Sequence, residues 1–264
     1  MDNRSDIIDK LSFLSRAESR IRVLETLSTT EPTTQRELRD SIPLARSTIV
    51  RAVDSLTEVG WATKAPDGVR LTPVGAVVIE EFLGAVESVA AAEELTPFLE
   101  WFPLSEFDID IEDLQGGTVT VTTEGDPLAP VRQHTKRLRT ATEFRAVLPS
   151  IGIEPIKGIH ERTLTGDLES EFVVPPGVET TIRIEEFAPL FEEMLATGRL
   201  TIHITDSASF FLGLVDEETT QIGVEGDDGL PRALLETSNE RVRSWGNTFF
   251  TDSRRAAIDR LTEL

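Results

Sequence analysis

The sequence predicts an α+β chain in two parts: helices with one β-hairpin over residues 1–92, joined to an α/β mixed-sheet domain over residues 93–264. Three observations carry this. Apolar residues recur at helical spacing through roughly the first hundred positions, whereas strand-like alternation begins only at Gly117-Thr118-Val119-Thr120-Val121. The charge is also divided. Residues 1–80 hold 11 Lys+Arg and 12 Asp+Glu, so of the chain's 26 and 47 the remaining 15 and 35 lie in 81–264, and nearly all of the net −21 belongs to the second part.

Taking the elements in order, Ile7, Ile8, Leu11 and Leu14 form one short apolar stripe, and Ile21, Val23, Leu24 and Leu27 a second. After a break at Ser28-Thr29-Thr30-Glu31-Pro32, Thr34-Gln35-Arg36-Glu37 has the form of a capping box and predicts a short helix from Thr34 to Asp40. Ser41-Ile42-Pro43 interrupts the chain, because proline has no amide donor and disfavours helix in the residue before it. The next helix is expected from Ala45 to Val59, stopped by Gly60. Trp61–Lys64 and Val69–Leu71 read as two strands around the Asp67-Gly68 turn, and Thr72-Pro73 opens a long apolar helix reaching about Glu100.

A short helix, a turn of about four residues and a second helix make a helix-turn-helix, with the hairpin as its wing. Ile49, Val53 and Leu56 share the inward face of the second helix, which leaves Arg46, Ser47, Val50, Arg51 and Asp54 outward, where a major groove would meet them. The candidate contacts to double-stranded DNA are Thr34, Arg46, Ser47, Thr48 and Arg51, with Lys64 and Arg70 of the wing near a flanking phosphate. Such a module can also serve protein contacts alone. The spare apolar surface of the long helix predicts a homodimer, the alternative being a helix packed within its own chain.

In the second part, strands are expected at Gly117–Thr123, Phe144–Pro149, Phe172–Val174, Leu200–Ile204, Phe210–Val215, Gln221–Val224 and Ala233–Leu235. Helices are expected at Val131–Arg139, Ile184–Thr197 and from Ser238 through Ile258. Arg132, His134, Lys136, Arg137 and Arg139 make a basic cluster in an acidic setting. With Asp126 at the mouth of that helix, Arg132, His134 and Lys136 are the candidate ligand-binding residues, for an anionic or hydroxylated small molecule. The competing reading pairs these cations with neighbouring carboxylates and makes Asp126 a helix cap.

Several classes are disfavoured. Zero cysteines exclude disulfides and thiolate metal ligands, and three histidines make a zinc enzyme improbable, so no metal and no cofactor are expected. No apolar run nears the roughly 18 residues of a membrane span, and the Met1-Asp2-Asn3-Arg4 start lacks the order of a secretory signal, so a cytoplasmic protein without membrane contact is expected. No Walker loop, zinc-protease helix or G-x-S-x-G elbow is present.

Ala45-Arg46-Ser47-Thr48-Ile49-Val50-Arg51-Ala52-Val53-Asp54-Ser55-Leu56, Val59-Gly60-Trp61 and Leu71-Thr72-Pro73-Val74-Gly75 resemble the winged helix-turn-helix of archaeal and bacterial regulators, over most of residues 7–90. The order Trp101-Phe102-Pro103, Phe107-Asp108-Ile109-Asp110, Gly125-Asp126-Pro127-Leu128-Ala129-Pro130 and Gly223-Val224-Glu225 to Arg232-Ala233-Leu234-Leu235-Glu236-Thr237 is similar to haloarchaeal regulators. Those carry an effector domain of the methanogenesis-regulator and TrmB type, related in fold to phospholipase D. The acidic composition likewise resembles proteins of salt-loving archaea. In molar salt the Debye length is about 3 Å, so a distant acidic domain repels DNA little. The resemblance implies a transcription regulator responsive to a metabolite such as a sugar or sugar phosphate. Phospholipase D chemistry needs H-x-K-x-x-x-x-D; here His134-Thr135-Lys136 is followed by Ala141 in the aspartate position, so the chain is not expected to be an enzyme, with a phosphoesterase as the remote alternative.

Overall fold

The computed structural model describes residues 3–30 and 33–261, and the chain divides into two compact units, one ending at Ser88 and the other beginning at Val89. Glu31 and Pro32, part of the expected break before the third helix, lie outside the described residues, as do Met1 and Asp2.

In the first unit, α1 (Asn3–Ser15), α2 (Glu18–Thr29), α3 (Gln35–Ser41) and α4 (Arg46–Glu58) precede the hairpin β1 (Ala62–Ala65) and β2 (Gly68–Leu71), after which α5 (Pro73–Leu99) begins. The expected capping box is present: the Glu37 amide donates to the Thr34 hydroxyl (3.2 Å), and the Thr34 amide donates to the Glu37 carboxylate (2.7 Å). Gly60 takes φ +78° just past α4, a conformation that glycine adopts without a Cβ clash. Leu14, Leu24, Leu27, Leu38, Ile49 and Leu56 are buried in one core to which the wing adds Trp61 and Val69. Thr33 extends the wing by pairing with Val69 through two backbone hydrogen bonds (3.1 and 2.8 Å). The first turn of α5 then packs against the wing so closely that a Cβ on Gly75 would stand 1.9 Å from the Trp61 carbonyl oxygen.

The second unit is built on an eight-stranded mixed sheet. A 3-10 turn (Leu104–Glu106) and α6 (Ile111–Leu114) lead to β3 (Thr118–Val121), α7 (Ala129–Leu138), β4 (Glu143–Val147), α8 (Ile153–Thr165), β5 (Glu169–Val174), α9 (Pro176–Ile182) and α10 (Ala188–Ala196). Then come β6 (Leu200–Ile204), β7 (Phe211–Val215), β8 (Thr219–Glu225), β9 (Pro231–Thr237), α11 (Glu240–Arg255) and β10 (Asp259–Leu261). The strand order is β10-β6-β5-β4-β7-β8-β9-β3; β4, β5 and β6 run parallel, and every other pairing is antiparallel. Alternation splits the side chains between two cores. Phe144, Phe172 and Ile202 face α7 to α10, while Val147, Val173, Leu212 and Ile222 face α11, α6 and the Leu95–Phe98 end of α5. In the first core the Phe211 ring lies across two glycines: a Cβ would come within 2.8 Å of it at Gly213 and 2.9 Å at Gly223.

Three expectations need correction. The helix expected at Ile184–Thr197 starts at Ala188, because Pro189 has no amide to bond back to the Glu185 carbonyl and its ring clashes with that turn, so it is accommodated only in a first turn. The last helix stops at Arg255 instead of running through Ile258, and Asp259–Leu261 pairs with β6 as an edge strand. The sequence pattern gives no helix at residues 153–165, yet α8 forms there, with Pro155 tolerated in its first turn and Gly166 (φ +83°) ending it.

Candidate functional site

The outward face of α4 is set by what lies beneath it. Ile49, Val53 and Leu56 are buried, Arg46, Ser47 and Arg51 are exposed, and Thr48 and Val50 are half-buried. Charge pairing divides the cations of this surface into two groups. Lys64 on β1 is paired with Asp54 on α4, and Arg70 with Asp67 in the wing turn. Arg36 stands 3.9 Å from Asp40 on α3. Arg46 and Arg51, by contrast, have no carboxylate partner among the described residues. Their guanidiniums remain free for bidentate contact with a guanine edge or a phosphate. Thr34 is exposed, but its hydroxyl is engaged with Glu37, whose carboxyl the Thr34 hydrogen bonds hold below its ordinary range. The sequence pattern places these side chains outward without revealing that the two wing cations each have an acidic partner.

The basic cluster of α7 is dispersed by helical geometry. Residues two apart on a helix point to nearly opposite sides. Arg132 and Lys136 are exposed, whereas His134 is buried against Phe144 and Phe211, with its Nδ1 2.8 Å from the Gln221 side-chain oxygen. Burial pushes the His134 pKa below its ordinary value, which keeps the imidazole neutral. Gln221 in turn donates to Glu236 (2.7 Å), and Arg137 donates to the same carboxylate (2.6 Å). The desolvation that would raise the Glu236 pKa is outweighed by these two donors, so the group stays below the usual carboxylate range. Asp126 does not cap α7; its carboxylate is taken by Arg132 through both oxygens, and that hydrogen bonding holds its pKa down. Asp126, Arg132, His134 and Lys136 are therefore not convergent on one surface. His134 and Lys136 also cannot reach one substrate atom together, as the H-x-K chemistry requires.

Arg162 on α8 has a structural place. Its terminal nitrogens donate to the carbonyls of Arg139 (2.6 Å), Ala141 (2.6 Å) and Asp167 (3.1 Å), tying α8 to the chain after α7. Among the described residues no group of three or more His, Asp or Glu is placed to hold a metal ion, and no helix is long and apolar enough to cross a membrane.

TrmBL2, described as an archaeal chromatin protein that shows a novel mode of DNA binding, is similar at 15% identity and a TM-score of 0.42, covering 94% of this chain and 98% of that one. Nuc of Salmonella typhimurium, a phospholipase D family member, is 12% identical at a TM-score of 0.42, over 54% of this chain and 97% of its own. NucT of Helicobacter pylori is 8% identical at a TM-score of 0.43, over 53% and 96%. No curated protein matches in sequence. Residues 8–94 match the family described as the HVO_A0261 N-terminal domain, and residues 127–256 match the family described as the middle domain of the methanogenesis regulatory protein FilR1.

Proposed function

We propose that this chain is a DNA-binding transcription regulator that acts in the cytoplasm as a homodimer and responds to a small metabolite such as a sugar or sugar phosphate. The observation that carries the DNA reading is the pair of unneutralised arginines, Arg46 and Arg51, at the start and middle of the exposed face of α4. A recognition helix needs donors of this kind near its N-terminal half, where it enters the major groove. The match of residues 127–256 to a domain of a methanogenesis regulatory protein points the same way. Dimerisation is supported by α5, where Val86 and Val89, three residues apart on one face, are 50% and 60% exposed. Two copies would set recognition helices into half-sites about one helical turn apart. An effector would act by binding one arrangement of the dimer more tightly than another.

Selection of randomised duplexes in molar potassium chloride tests this. Enrichment of a palindrome that Arg51→Ala loses is the expected result; no enrichment at any salt would replace the regulator with a protein-contact module.

A further inference from the structure

β3 (Thr118–Val121) forms one edge of the eight-stranded sheet and β10 the other. An edge strand leaves a row of amides and carbonyls unpaired, and proteins blunt that row with charge, proline, a bulge or brevity. β10 is blunted, being three residues long and carrying Asp259 and Arg260. β3 is not. Its register with β9 runs without a bulge, and no charged residue or proline occurs from Gln115 to Thr123, in a chain of net charge −21.

Which groups face outward follows from the ladder. The Thr122 amide donates to the Arg232 carbonyl (2.9 Å), so by antiparallel alternation Thr122, Thr120 and Thr118 direct their backbone groups at β9. The amides and carbonyls of Val119 and Val121 therefore point away from the sheet, and among the described residues no hydrogen bond reaches them. The sequence along this edge is also a palindrome: Thr118-Val119-Thr120-Val121-Thr122 reads the same in both directions.

We propose that β3 pairs antiparallel with β3 of a second copy, about a two-fold axis through Thr120, so that two sheets become one. In that register Val119 stands opposite Val121 of the other copy and exchanges both backbone groups with it, and the outward amides and carbonyls of both strands are all satisfied. Valine meets valine on one face of the sheet and threonine meets threonine on the other, as cross-strand pairs that pack or hydrogen-bond. The occupant is a second copy because the strand matches itself. A two-fold contact requires residue i to meet j and j to meet i, which the palindrome supplies, and an uncharged stretch is where two strongly acidic chains approach with least repulsion. The contact is small: stable interfaces bury about 1,200–2,000 Å², more than a strand of this length provides, so β3 reinforces an association and does not hold two dilute copies alone. It goes beyond the α5 dimer proposed above and does not depend on it.

The chain has no cysteine, so a single introduced one reports its own position. At the axis Thr120 faces its own copy as a non-hydrogen-bonded pair, with Cα atoms about 4.5 Å apart, inside the range that a disulfide spans. Thr118 is the more exposed of the two, but its copy is displaced by the offset from 118 to 122, about 13 Å along the strand. Full-length Thr120→Cys and Thr118→Cys, at high micromolar concentration in molar potassium chloride, are oxidised with diamide and followed by non-reducing electrophoresis. Thr120→Cys is expected to give a covalent dimer at least about tenfold faster than Thr118→Cys, against the order of their exposure. Adding Val121→Pro to Thr120→Cys removes an outward amide without breaking a ladder bond of the chain's own sheet, and should slow the cross-link about tenfold with the circular dichroism spectrum unchanged. Equal rates at the two positions, or faster linking at 118, would overturn the proposal; no covalent dimer from either would overturn it too and leave the edge to an extended peptide of another protein. Sedimentation of Val86→Asp reports on α5 and the cross-link on β3, so either contact can fail without the other.

Discussion

Asp54→Asn is expected to strengthen DNA binding, against the general rule that substitutions on a recognition surface weaken it. In the free protein the Asp54 carboxylate on α4 holds the Lys64 ammonium of the wing, both side chains being about half exposed, at 49% and 48%. An exposed pair of this kind contributes roughly 0–1 kcal/mol to folding, so the melting temperature should hardly move. On DNA the balance differs. A neutral amide in place of the carboxylate no longer repels phosphate, and Lys64 becomes free to neutralise one. Each neutralised phosphate steepens the dependence of log K on log salt by about 0.9, which over a fourfold salt range is an extra change of about 3.5-fold in affinity. Fluorescence anisotropy of a selected duplex across that range measures both slope and affinity. Lys64→Ala should act oppositely in affinity, since it uncovers Asp54 without removing a phosphate contact, and its slope should stay near that of the wild type. A slope for Asp54→Asn within about 0.3 of the wild type, or weaker binding at low salt, would refute the claim that the wing cation is held in reserve.

Gly75→Ala should destabilise the first unit despite alanine's better helix propensity, because the added methyl would meet the Trp61 carbonyl; loss of unit 1 helicity on urea titration, followed by circular dichroism, checks this. Phe172→Ala should cost about 3–5 kcal/mol in denaturant melts, as its ring is fully buried and packs edge-on against Phe144 at 5.6 Å. Acidification should erode stability in two steps. A folded His134 with a depressed pKa leaves the unfolded chain binding more protons below its ordinary 6.5, so stability falls as pH drops through that value, and Glu236 adds a second loss below its ordinary 4.5. His134→Gln should flatten the first step alone in melts between about pH 7 and 5. Finally, sedimentation should find a dimer that Val86→Asp converts to monomer; an unchanged mass would remove α5 from the interface.

Local signals in the first unit are strong enough to read directly. Thr34 and Glu37 stand at capping-box spacing, Gly60 terminates α4, and Pro73 opens α5, each a constraint acting within a few residues. The second unit is less legible where two local signals compete. Ile153, Ile156 and Ile159 carry the spacing of α8, but Pro155 and Gly158 read as breakers, and only the sheet beneath shows that the apolar positions prevail. β10 is three residues long and has meaning only beside β6. In the same way Arg132, His134 and Lys136 look like a cluster because sequence proximity ignores direction. On a helix the middle residue turns into the core, while Arg139 and Arg162, 23 positions apart, meet at one cleft. The long-range partners Gln221 and Glu236 that engage His134 and Arg137 leave no mark a single sequence could display.

The Phe211 ring lying over Gly213 and Gly223 makes three positions behave as one hereditary unit. A methyl at either glycine collides with the ring, and a smaller residue at 211 leaves a gap with nothing to fill it. Substitutions there should be strongly non-additive: each is harmful singly, a side chain gained at 223 becomes acceptable only after 211 has shrunk, and one at 213 must in addition displace the Phe144 ring, 3.2 Å from its Cβ. Neutral drift through this part of the sheet must therefore pass by way of a less stable ancestor or change two codons at once. The trio is expected to persist together or be replaced together among chains of this kind, independently of what the protein binds.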